Sequence, residues 1–120
     1  MINTQEIQES DYSLFGKKSF IKGDLQLVGT THIHSTIEGD ITHLDGSTLI
    51  LEFHSQVRGN INATNVIIMG SFDGNITAQG KVIIQPTAHV IGNIKCDSLL
   101  IQPGAFVEVT ADAELSETEL

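Results

Sequence analysis

The residues of this chain best suited to chemistry are five histidines, one cysteine and a scatter of carboxylates, and their spacing argues against an active centre. His32 and His34 flank Ile33, so on an extended strand they project to one face, as a metal-binding pair would. No third ligand accompanies them, and on a solvent-facing strand they read as surface histidines. His43, His54 and His89 stand apart from any nucleophile and orienting acid that could complete a triad. Cys96, the only cysteine, cannot form an internal disulfide and reads as a small core residue. Asp24, Asp40, Asn60, Asn75 and Asn93 each follow a glycine, which suits a stacked ladder of side-chain hydrogen bonds. A calcium site would need more carboxylates on Asp-rich turns. These residues imply no catalysis, no metal and no cofactor.

The elements that hold them are set by a repeat. The pattern apolar, any residue, glycine, Asp or Asn, apolar recurs as Ile21-Lys22-Gly23-Asp24-Leu25, Ile37-Glu38-Gly39-Asp40-Ile41, Val57-Arg58-Gly59-Asn60-Ile61, Phe72-Asp73-Gly74-Asn75-Ile76 (here with Asp73 before the glycine) and Val90-Ile91-Gly92-Asn93-Ile94. The glycines lie 16, 20, 15 and 18 residues apart, and a sixth copy, Val107-Glu108-Val109, lacks the glycine. A second signal precedes the later copies: Leu49-Ile50-Leu51, Val66-Ile67-Ile68, Val82-Ile83-Ile84 and Leu99-Leu100-Ile101. Strand alternation then sorts the faces. In the third copy Leu49, Leu51, Phe53, Ser55, Val57, Gly59, Ile61 and Ala63 fall on the inward parity, with Ile50, Glu52, His54, Gln56, Arg58, Asn60 and Asn62 outward.

A repeat near 17 residues is too short for a propeller blade and too regular for a small open sheet, but it suits a coil of three short parallel strands per turn. The expected fold is all-β, a single-domain β-solenoid of about six rungs spanning residues 20–109. Residues 1–19 are expected to form a flexible N-terminal segment and 110–120 an acidic disordered tail, because both are polar and the tail carries Asp112, Glu114, Glu117 and Glu119 with no basic residue. The net charge of -9 argues against nucleic acid or an anionic membrane as a partner attracted by net charge. No apolar run is long enough for a signal-peptide core or a membrane span, which fits a cytoplasmic protein.

The repeat, over about Phe20 to Val109, resembles that of the bactofilins, bacterial cytoskeletal proteins. The resemblance implies a right-handed triangular β-helix that polymerises end to end without nucleotide, lies at the inner face of the cytoplasmic membrane, and positions cell-envelope or cell-wall enzymes that shape the cell. It implies no enzymatic activity of the chain's own. Bactofilins carry a phenylalanine in the C-terminal rung, and Phe106 stands at that place; they also use a short N-terminal stretch as a membrane foot, which would fall on Leu14, Phe15, Lys17 and Lys18.

Physical chemistry supports self-association independently. The end rungs of a solenoid expose unpaired backbone groups and open core, and such edges pair with one another unless capped. The expected assembly contacts are Ile21 and Leu25 in the first rung and Phe106, Val107 and Val109 in the last. The alternation Ala105, Val107, Val109 turns Phe106 outward. Registration also places Ile50, Ile67, Ile83 and Leu100 in one outward column with His32, either as a partly covered corner or as a lateral docking stripe. The enzymatic alternative is a hexapeptide-repeat trimeric acyltransferase or a related enzyme. Its register places an aliphatic residue at every sixth position; Ile84, Val90 and Cys96 keep that step, and Gln102 breaks it. A secreted carbohydrate-binding solenoid would want a secretion signal and a row of exposed aromatic residues.

Overall fold

The computed structural model describes the backbone of residues 4–8, 12–14, 20–43, 46 and 48–118, and the side chains of 20–43, 46 and 48–110. Among the described residues fourteen strands follow in order: β1 (Thr4–Gln8), β2 (Tyr12–Leu14), β3 (Phe20–Lys22), β4 (Asp24–Val28), β5 (Thr31–Ile33), β6 (Thr36–Glu38), β7 (Ile41–His43), β8 (Thr48–Leu51), β9 (Gln56–Ala63), β10 (Asn65–Ile68), β11 (Ser71–Ala78), β12 (Lys81–Ile84), β13 (His89–Ile101) and β14 (Phe106–Thr118). Every pairing between them is parallel, and no helix occurs among the described residues. Short β-rich segments joined by bends cannot pair within one turn, so each finds its partner one turn away. The result is a β-solenoid with three strand segments per turn, such as β3, β4 and β5.

The register follows the repeat residue for residue. Phe72 aligns with Val57 and Val90, Ile76 with Ile61 and Ile94. On another wall Ile33, Leu51, Ile68, Ile84 and Ile101 stack in one inward column. Alternation buries one side of each strand: Leu25, Leu27, Ile33, Ile37, Ile41, Val57, Ile61, Val66, Ile68, Phe72, Ile76, Val82 and Ile84 make one continuous core.

The bend after each first segment is a glycine corner. Gly39, Gly59, Gly74 and Gly92 have φ of 149°, 135°, 146° and 131°, where L side chains are rarely found. At each of them a Cβ would lie 1.8 to 1.9 Å from the carbonyl oxygen of the glycine one turn earlier. Glycine is therefore required twice over, by the dihedral and by the close approach of stacked backbones. Val109 takes the last place in this column, opposite Gly92. The six levels from Gly23 to Val109 are separated by five turns.

Strand pairing crosses the limits expected from composition at residues 20 and 109. β1 pairs with β4 and β2 with β5, while β14 follows β13 as far as Thr118. An exposed parallel edge offers a ready row of donors and acceptors, and neither Thr4–Gln8 nor Thr110–Thr118 contains the proline or glycine that would refuse it.

Phe53 corrects the expected inward parity: it is 57% exposed. Ser55 N–H donates to the Glu52 carbonyl at 2.9 Å, closing a tight turn that lifts Phe53 and His54 out of the wall. Gln85–Ala88 and Gln102–Ala105 form matching turns, which leave Pro86 and Thr87 exposed in the same way.

Candidate assembly surfaces

The C-terminal end of the rod is β14. Its backbone pairs with β13 on one side, and its other edge meets no strand among the described residues. Phe106 opens this strand. Its N–H donates to the Ala88 carbonyl at 3.0 Å, and its ring is 50% exposed. The ring lies on the imidazole of His89, with centroids 4.4 Å apart and planes inclined by 20°. Val107 and Val109 are half-buried at the inward parity, where the core thins toward the open end.

Phe106 ends an outward column that runs Phe20, Thr36, Gln56, Ser71, His89, Phe106. Phe20, 57% exposed, begins it. The adjacent outward column reads Lys22, Glu38, Arg58, Asp73, Ile91, Glu108. Arg58 Nη2 lies 4.0 Å from Asp73 Oδ2, an exposed contact that contributes little to stability. Between the two columns lies an open groove of about 430 Å³ bordered by Gln56, Arg58, Ser71, Asp73 and His89.

Ile21 and Leu25, expected as end-rung contacts, lie on β3 and β4, and among the described residues β3 pairs only with β6, so Ile21 stays on the outermost strand of its wall. Both are core residues, 2% and 1% exposed, and β1 lies beneath β4 with Gln5 opposite Leu25. The N-terminal strands thus add a layer that composition hides. Leu14 belongs to β2, but its side chain, like Phe15, Lys17 and Lys18, lies outside the described residues.

The apolar stripe is a real column: His32, Ile50, Ile67, Ile83 and Leu100 are direct neighbours along one wall, and each is half-buried. The Asx residues also stack. Asn60 Nδ2 donates to Asp40 Oδ1 (3.1 Å), Asn75 Nδ2 to Asn60 Oδ1 (2.9 Å) and Asn93 Nδ2 to Asn75 Oδ1 (2.8 Å). Every amide donates toward the N-terminal end, and the series terminates on a carboxylate that can only accept.

The histidines have separate surroundings. His32 Nδ1 lies 2.6 Å from Glu52 Oε2. His54 tilts against Phe53 at a centroid distance of 4.6 Å. His43 is buried, with Nε2 bonded to the Gly29 carbonyl; since a carbonyl only accepts, Nε2 carries the proton. The alternation of Ile41 and His43 was the signal for that inward placement. Among the described residues no three His, Cys, Asp or Glu side chains converge as metal ligands. Cys96 is half-buried against the core, its Sγ 3.4 Å from the Ser98 carbonyl.

A parallel solenoid with a continuous apolar core and repeated surface columns is a β-helix protein. The chain matches the bactofilin family, described as polymer-forming cytoskeletal, over residues 13–112, and it belongs to that family. It is 34% identical over 97 residues to bactofilin BacO of Myxococcus xanthus (strain DK1622), a match covering 81% of this chain and 72% of that protein. It is 28% identical over 108 residues to bactofilin BacP of the same organism, covering 88% of this chain and 44% of that protein. No solved structure matches it. Membership places the chain in a self-associating, structural family rather than an enzymatic one.

Proposed function

We propose that this protein polymerises end to end into filaments that need no nucleotide, and that the filaments act as a cytoplasmic scaffold positioning cell-wall or envelope enzymes and so influencing cell shape. The observation that carries this reading is the open edge of β14, beginning with the half-exposed ring of Phe106 and backed by the half-buried Val107 and Val109. Adding a second copy there would pair idle N–H and C=O groups and cover apolar surface in one step. An end-to-end contact that does not close on itself generates a filament. The reading is supported by membership in a polymer-forming family.

The filament would lie at the inner face of the membrane through the Leu14, Phe15, Lys17, Lys18 segment. A single such foot binds weakly, but a polymer multiplies it by avidity. Negative-stain electron microscopy of the purified protein, without nucleotide or metal, tests the polymer. Long thin filaments are expected; discrete trimers or monomers across concentration and salt would reject it and favour the hexapeptide-enzyme alternative.

A further inference from the structure

We propose that His89 is a positioning residue for assembly, a flat platform that holds the Phe106 ring broadside to an incoming copy of the chain. This rests on the reading that Phe106 is an end contact.

The two residues are direct register partners on adjacent turns, so their side chains rise from strands roughly 4.8 Å apart. Two flat rings at that spacing can lie face to face, and these do, at 4.4 Å and 20°. One face of the Phe106 ring is therefore occupied by the imidazole, and its half exposure leaves the opposite side toward the open end.

The platform is itself anchored. His89 N–H donates to the Gly70 carbonyl at 3.0 Å, and the turn before it closes through Ala88 N–H to the Gln85 carbonyl, also 3.0 Å. Thr87 Oγ1 ties that turn to the Met69 carbonyl one rung below at 2.8 Å. Phe106 is held in turn by Ala88, the residue beside His89. None of the other residues in this column above Phe20, namely Thr36, Gln56 and Ser71, could offer a ring. The one aromatic platform thus lies directly below the terminal phenylalanine.

The physical consequence is preorganisation. An unsupported ring at a strand end samples several rotamers and must be frozen when a second copy docks; a stacked ring has already lost that freedom. Because the His89 side chain is exposed on the outward face, its removal should affect assembly without affecting folding.

The test compares critical concentrations for pelleting among wild type, His89→Ala, His89→Tyr and Phe106→Arg, with thermal unfolding as the control. His89→Ala should raise the critical concentration roughly two- to tenfold at unchanged unfolding temperature, and His89→Tyr, which restores a flat ring, should return it to within about twofold of wild type. If Phe106→Arg blocks pelleting while His89→Ala matches wild type, the platform is rejected and the end contact stands. If the Ala and Tyr variants are equally impaired, stacking is rejected. If Phe106→Arg pellets like wild type, the end contact fails and the platform fails with it.

Discussion

Phe20 and Phe106 stand at opposite ends of one outward column, five turns apart, with only Thr36, Gln56, Ser71 and His89 between them. They are two of the three large apolar side chains that the described residues leave well exposed. Under the proposed end-to-end assembly, a column that is aromatic at both ends would put apolar surface where another copy meets it.

The glycine corner is the least tolerant feature of the fold. Gly74→Ala would place a methyl group 1.9 Å from the Gly59 carbonyl oxygen at a φ of 146°. We expect a loss of at least about 3 kcal/mol in urea unfolding, because backbone on both turns must separate. Gly46→Ala is the control: its φ is 83° but its nearest neighbour, Thr64 Oγ1, is 3.8 Å away, so only the dihedral penalty of roughly 1–2 kcal/mol applies.

Alternation makes adjacent residues behave oppositely. Ile68 is fully buried and Ile67 half-buried on the outward stripe. Ile68→Ala should cost about 2–5 kcal/mol by the cavity it leaves, and Ile67→Ala less than about 1.5 kcal/mol, as read from denaturant midpoints. If Ile67 also serves lateral contacts, filaments of that variant should separate from bundles in electron micrographs while retaining their length.

The Asx ladder has a direction that substitution can probe. Asn75→Asp keeps an acceptor for Asn93 but removes the donor to Asn60 Oδ1 and sets a carboxylate against it, so stability should fall by about 1–2 kcal/mol. Asp40→Asn leaves an oxygen for Asn60 and gains a donor facing Asp24; it should be neutral or stabilising. Thermal melts of the two variants should move in different directions or by clearly different amounts.

Much of this architecture was legible because an in-register solenoid converts sequence spacing directly into columns. The glycine corner, the Asx ladder, the apolar stripe and the outward Phe106 all follow from aligning one turn on the next. Phe53 escaped because parity holds only along a continuous strand, and the Glu52–Ser55 turn inserts two residues that leave the wall. β1 and the far half of β14 escaped for another reason: their strand state is templated by β4 and β13, and nothing in their polar composition announces it. The stacking of His89 under Phe106 could have been found from the alignment of Val90 with Val107, which carries their neighbours into register.

The central claim is that assembly proceeds through the terminal rung, and sedimentation of Phe106→Arg beside wild type tests it most directly. Phe106 lies outside the core, so circular dichroism and the unfolding temperature should match wild type within the scatter of surface substitutions. Wild type is expected to pellet as filaments without nucleotide, and Phe106→Arg to remain in the supernatant as monomers or short oligomers. A folded Phe106→Arg protein that pellets as wild type does, at the same critical concentration, would contradict the account.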